Sequence, residues 1–106
     1  MNLGKTIKDS RIMHFKGNQY DFAEALGITQ SYLSLLENNK KKPSPDLIKK
    51  IGDVCEIPLV IMLWHSLDEN DITEDKKESF KLLKPSLDAL LKEVFEPNPR
   101  NSKQTT

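Results

Sequence analysis

The chain is predicted to be all-α, because apolar residues recur at spacings of three and four along most of its length while no strand alternation or hairpin turn is evident. Its 106 residues leave room for one small domain and an appendage, and a 37% hydrophobic content is compatible with a modest packed core. The expected partition is a five-helix domain over residues 1–67, an acidic linker and terminal dimerisation helix over 68–96, and a polar, disordered tail over 97–106.

An opening helix is predicted with Leu3, Ile7, Ile12 and Phe15 along one side and Gly17 ending it. The stretch QYDFAEALGITQSYLSLLEN from Gln19 to Asn38 then reads as two short helices hinged at one glycine. Phe22, Ala23 and Leu26 form the apolar side of the first, and Gln19, Asp21 and Glu24 fill the opposite side. Gly27 can take positive φ just past a helix C-terminus, Ile28 plugs the turn, and Thr29 can cap the next helix, although a capping-box acid is missing at Tyr32. Two helices joined in this way have the anatomy of a DNA-reading helix-turn-helix.

Projecting the second of these helices at about 100° per residue from Gln30 puts Leu33 and Leu36 near 300° and 240°, as buried anchors. Gln30, Ser31, Ser34 and Leu35 span roughly 0° to 140°, an uncharged face of mostly amide and hydroxyl groups that can lie against base edges. Gln pairs bidentately with adenine N6 and N7, Ser can donate or accept at several bases, and Leu35 can meet a thymine methyl.

Two further helices complete the domain. Ser44 as N-cap, Pro45 at the first helical position and Asp46 in the first turn open one, with Leu47, Ile48, Ile51, Val54 and Cys55 as its apolar stripe. Pro58 opens the other, PLVIMLWHSL, whose nearly unbroken apolar character implies burial on more than one side, with Trp64 as an anchor.

Residues 3–64 resemble the lambda-repressor and Cro-type (XRE-like) helix-turn-helix family, a five-helix DNA-binding domain, most specifically over LGITQSYLSLLENNKKKPS from Leu26 to Ser44. The resemblance implies that Gln30, Ser31, Ser34 and Leu35 face bases, and that Asn18, Gln19, Tyr32, Asn38 and Lys40 hold phosphates or the groove edge. Thr29, Asn39 and Lys42 complete the expected DNA-binding set. Arg11 and Glu37 match a pair that forms an ion bridge inside the domain in some relatives. The chain departs from the family in having Leu35 where Arg or Gln is common, Asn39 where Gly is common, and an HFKGN connection about one residue longer. Asn39 tolerates the left-handed conformation, so the helix end survives its departure.

Sixteen basic and sixteen acidic residues cancel overall, but residues 1–50 hold nine Lys and Arg against five Asp and Glu, and residues 51–106 hold seven against eleven. The motif therefore lies in a half of net charge +4, with Lys40, Lys41 and Lys42 placed to meet the sugar-phosphate backbone.

Beyond Leu67, DENDITEDKKE reads as a linker and an exposed helix start. Phe80, Leu83, Leu87, Leu90 and Val94 then recur at spacings of three and four, widened by Leu91 and Phe95, as a seam for another helix. Two heptads are too few for an isolated coiled coil, so a wider pairing with a second copy is expected, with fold-back as the alternative. Pro85 should kink this helix or split it into 73–83 and 86–95.

No CxxC, HExxH, GxSxG or glycine-rich phosphate loop is present, and His14, His65 and Cys55 are scattered, so neither enzyme, metal nor cofactor is implied. No small-molecule effector is evident. The lone Cys55, the lack of a signal-like N-terminus and the shortness of the longest apolar run suggest the cytoplasm, at the nucleoid when DNA is bound, and no membrane partner. The expected function is a bacterial or phage-type regulator, a repressor by default, binding a palindromic operator in double-stranded DNA as a homodimer. The alternative is an antitoxin or phage-type interaction protein whose terminal helix grips a protein partner, with DNA binding for autoregulation.

Overall fold

The computed structural model describes residues 1–15 and 17–95; the tail over 97–106, residue 96 and the side chain of Phe95 lie outside the described residues. Among the described residues there are helices and no strands. They are α1 (Leu3–Ser10), a π-helical turn (Arg11–Phe15), α2 (Gln19–Leu26), α3 (Gln30–Glu37), α4 (Pro45–Cys55), α5 (Leu59–Ser66), 3-10 turns at Glu69–Asp71 and Glu74–Lys76, and α6 (Lys77–Phe95). The chain divides into two compact units, Met1–Leu67 and one that begins at Asp68.

Short helices are marginal alone, so their ends are fixed by side chains and turns. Asn2, Asn18, Thr29 and Ser44 each accept a backbone N–H three residues on, from Lys5, Asp21, Tyr32 and Leu47, at 2.8–3.1 Å. At the other ends, Gly27 takes φ 72° while Ile28 N–H donates to the Ala23 carbonyl at 3.0 Å. Asn39 takes φ 59°, with Lys40 N–H donating to the Leu35 carbonyl at 2.8 Å and Asn39 N–H to that of Leu36 at 3.1 Å. Both are left-handed terminations that turn the chain sharply into the next segment.

The core of the first unit gathers Ile7, Phe22, Leu26, Leu33, Leu36, Ile51, Cys55 and Met62. Phe15 packs on Phe22 with ring centroids 5.0 Å apart and a 57° tilt. α1 meets the end of α3 so closely that a Cβ at Gly4 would stand 2.7 Å from the Leu36 carbonyl oxygen, and only glycine fits there. The start and finish of the unit are joined, since Asn2 N–H donates to the Ser66 carbonyl at 2.7 Å and the buried Ser66 hydroxyl lies 3.0 Å from that of Thr6.

Two sequence expectations fail in this unit. Ile12, expected inside, is 54% exposed, because it follows Ile7 by five residues and at about 100° per residue falls roughly 140° away from it, off the buried stripe. α5 is not buried on more than one side: Ile61 and Met62 are buried, Trp64 is half-buried, and Leu59 and Val60 are exposed. Within this unit its eight residues pack chiefly on α1 and α4, which leaves the face of Leu59 and Val60 open.

In the second unit the region expected to be a linker winds into the two 3-10 turns. Asp68 N–H donates to Asp71 Oδ2 at 3.0 Å, and this bond holds the Asp71 carboxyl below its ordinary range. α6 starts at Lys77, not at residue 73, and runs through Pro85 without splitting. Proline removes one N–H from the ladder, a loss that nineteen residues of otherwise regular helix absorb. Ion pairs Glu74–Lys77 at 2.9 Å, Glu69–Lys81 at 3.1 Å and Lys84–Asp88 at 3.4 Å decorate the surface. With Phe80 as zero, Leu83, Leu87, Leu90 and Val94 project at roughly 280° to 340°. All four are exposed, whereas the half-buried Lys77, Phe80, Lys84, Asp88 and Leu91 lie on the adjacent strip at roughly 0° to 80°.

Candidate nucleic-acid interface

α3 is rooted on one side and open on the other. Leu33 and Leu36 are fully buried against a core to which α2 supplies Phe22, Ala23 and Leu26. Gln30 and Ser31 are exposed, Leu35 is 40% exposed and Ser34 half-buried, and with Gln19 they line an open, shallow concavity. That is the arrangement an α-helix needs to lie in a major groove, since its base-facing side must not be spent on its own core.

The flanking residues are fixed in place. Asn18 and Gln19 stand at the start of α2, Asn18 exposed and accepting from Asp21 N–H at 2.8 Å. Tyr20, exposed beside them and absent from the sequence expectations, adds an aromatic ring at the same helix end. Exposed Thr29 caps α3, and Tyr32 is half-buried. Asn38 Nδ2 donates to the Ser34 carbonyl at 2.8 Å, closing the helix from the side. Lys40, Lys41 and Lys42 are exposed, yet Lys40 and Lys41 N–H both donate to the Leu35 carbonyl, at 2.8 and 3.3 Å. The basic loop is thereby held to the last turn of α3.

Asn39 faces another way. Its Oδ1 accepts from Gly4 N–H at 2.9 Å and its Nδ2 donates to Asn2 Oδ1 at 2.7 Å, so its amide caps α1. Sequence reasoning identified the backbone conformation and missed this second task, because the partners are 35 and 37 residues away.

Beneath α3 lies a charged root. Arg11 Nε donates to Glu37 Oε2 at 2.8 Å and its second nitrogen to Oε1 at 3.1 Å. The Glu37 side chain is only 3% exposed and that of Arg11 13%, and the bond to Glu37 raises the Arg11 pKa above its ordinary value. A two-point guanidinium–carboxylate pair this dry fixes geometry as well as charge. Glu37 Oε1 also accepts from Gln19 Nε2 at 3.0 Å, and Gln19 Oε1 accepts from Gln30 Nε2 at 3.4 Å. The ion pair is thus connected to the first residue of α3 through the first residue of α2. Among the described residues no buried side-chain nitrogen or oxygen lacks a hydrogen-bond partner, and no group of three His, Cys, Asp or Glu is gathered to hold a metal.

A helix-turn-helix family model matches residues 7–61, just over half of the chain. The protein belongs to the lambda-repressor-type helix-turn-helix family. The matched span begins within α1 and ends within α5, and encloses the hinge, α3 and the lysine loop. Neither the curated proteins nor the solved structures that were searched contain a match to this chain. The family is one of DNA-binding transcriptional regulators, and that coarse assignment applies here. No helix among the described residues is long and apolar enough to cross a membrane.

Proposed function

We propose that the protein is a transcriptional repressor that binds a palindromic operator as a homodimer, with α3 in the major groove and α6 pairing the two copies. The observation that carries the reading is the outward face of Gln30, Ser31, Ser34 and Leu35 on a helix whose other side is fully anchored. Gln30 reads a base pair, Ser31, Ser34 and Leu35 meet its neighbours, and Asn18, Gln19, Thr29, Tyr32 and Asn38 frame the groove edge. Lys40 and Lys42 neutralise phosphates, and Asn39 serves from within by fixing the loop. The exposed Leu83, Leu87, Leu90 and Val94, flanked by Phe80 and Leu91, supply the pairing surface. Two such domains set about 34 Å apart would read successive major grooves, and the block to transcription follows from occupancy.

Selection from random duplexes, with sequencing of the bound fraction, tests the operator: a two-fold symmetric site should be enriched, and its absence overturns the reading. A chain ending at Leu67 should scatter light as a monomer, and a dimer would remove α6 as the pairing element. Gln30→Ala should cost about 1–3 kcal/mol at one base pair, while Lys40→Ala weakens all sequences alike and lowers the salt slope by about one. The same exposed leucines favour one second reading, an antitoxin-like protein whose α6 grips a different chain; it predicts a monomer in isolation.

A further inference from the structure

We propose that Glu37, itself remote from the groove, determines which base Gln30 accepts, by imposing a direction on the amides of Gln19 and Gln30. The inference rests on the proposed placement of α3 in the major groove. It starts from a chemical asymmetry: a carboxylate only accepts hydrogen bonds, whereas a glutamine amide can present either end. Both Glu37 oxygens accept from Arg11, at 2.8 and 3.1 Å, so the carboxylate is fixed as an acceptor. The Gln19 group that meets it at 3.0 Å must be the Nε2 donor, because the reversed amide would set carbonyl oxygen against carboxylate oxygen. Gln19 Oε1 therefore points away from Glu37, and it accepts from Gln30 Nε2 at 3.4 Å. By the same logic Gln30 cannot turn its own carbonyl to Gln19.

Gln30 is left with one carbonyl oxygen and one N–H for the groove. Adenine presents the matching pair, a donor at N6 and an acceptor at N7, whereas guanine presents two acceptors and would need two donors. With one N–H spent on Gln19, Gln30 cannot serve both. A glutamine without this tether could donate twice and lose the distinction. Glu37 is a positioning residue in this scheme, acting through Gln19.

The base pair is assigned first, as the position whose preference disappears in Gln30→Ala. If no position responds, the groove placement itself has failed, which is a separate result from failure of the relay. At the assigned position the wild type should prefer adenine over guanine by roughly 5- to 150-fold. Gln19→Met, which leaves the ion pair intact, should reduce that ratio to below about twofold, while removal of any bond from the Gln19 amide to a phosphate lowers affinity for every duplex equally. E37Q should act in the same way and add nothing in the Gln19→Met background. The exchanged pair Gln19→Glu with Glu37→Gln puts an accept-only group next to Gln30 and a donor behind it, and should restore the preference for adenine. A ratio within twofold of wild type in Gln19→Met overturns the proposal, as does an E37Q effect that is uniform over all DNA sequences. Should E37Q fail to fold, as judged by circular dichroism, the Gln19→Met ratio alone decides.

Discussion

The two units treat their leucines in opposite ways. Between Met1 and Leu67, Leu33 and Leu36 are fully buried and Glu37 lies bonded beneath them. In α6, Leu82 is 77% exposed and Leu90 60%, and ion pairs on the surface offer little to hold such a helix in one arrangement. In the first unit α3 is anchored in the core and turns only polar groups and Leu35 outward. The second keeps a stripe of leucines that water does not favour, and exposure of this kind marks interaction surfaces. The contrast supports a division of labour in which one unit reads DNA and the other sets the assembly.

The largest effect that tests this contrast comes from equivalent truncations in the two units. Leu33→Ala opens a cavity in a filled core and should cost about 3–5 kcal/mol in denaturant unfolding. Leu90→Ala should cost the folded chain less than about 0.5 kcal/mol, yet raise the concentration at which dimers form in a dilution series. Equal losses of stability would show that α6 is as much a core element as α3.

Pro85 sharpens the comparison from the side of α6. A proline in a helix interior costs roughly 3 kcal/mol relative to alanine. Pro85→Ala should therefore strengthen α6, by up to about that amount, and raise its hydrogen-exchange protection without altering the first unit. Unchanged protection would mean that the break in the ladder is already compensated.

How much of this was legible in the sequence depends on the range of the interaction. Gly27, Thr29, Ser44 and Pro45 act within three or four residues, and the helix boundaries they predict are those observed. The periodicity of α3 likewise separated Leu33 and Leu36 from Gln30 and Ser31. Ile12 was misplaced because a spacing of five residues from Ile7 does not return to the same helical face, although an apolar residue there invites that reading. α5 was misread because a helix rich in apolar residues says nothing about which faces its neighbours reach. The order Gln30–Gln19–Glu37 joins residues 11 and 18 apart, and a sequence names such groups without revealing which amide points where.

A pH experiment isolates the interior of the first unit. Burial pushes the Cys55 thiol up from 9.0 to about 11, with its Sγ 3.7 Å from the Ser10 carbonyl oxygen. The unfolded chain then loses this proton first, so folding stability is full below about pH 9 and falls between there and pH 11. The loss attributable to the thiol is at most about 3 kcal/mol. The measurement is the difference in slope between wild type and Cys55→Ala. Identical slopes would show that water reaches the thiol.

The smallest effect separates two residues that share a backbone conformation. Asn39 and Glu56 are the non-glycine residues with positive φ among those described, at 59° and 58°. Each ends a helix, α3 and α4, but their side chains differ in employment. Asn39 bonds Gly4 and Asn2, whereas Glu56 is exposed and places a negative charge at a helix C-terminus, where the dipole opposes it. Glycine relieves the left-handed strain at either position and gives back part of that gain as extra freedom in the unfolded chain. Glu56→Gly should therefore stabilise by about 0.5–1 kcal/mol, with a further few tenths from removal of the charge. Asn39→Gly strips the cap from α1 and should destabilise by about 1 kcal/mol despite the same relief. Thermal midpoints that moved in the same direction for both variants would mean that backbone strain, and not the amide bridge to α1, decides the residue at position 39.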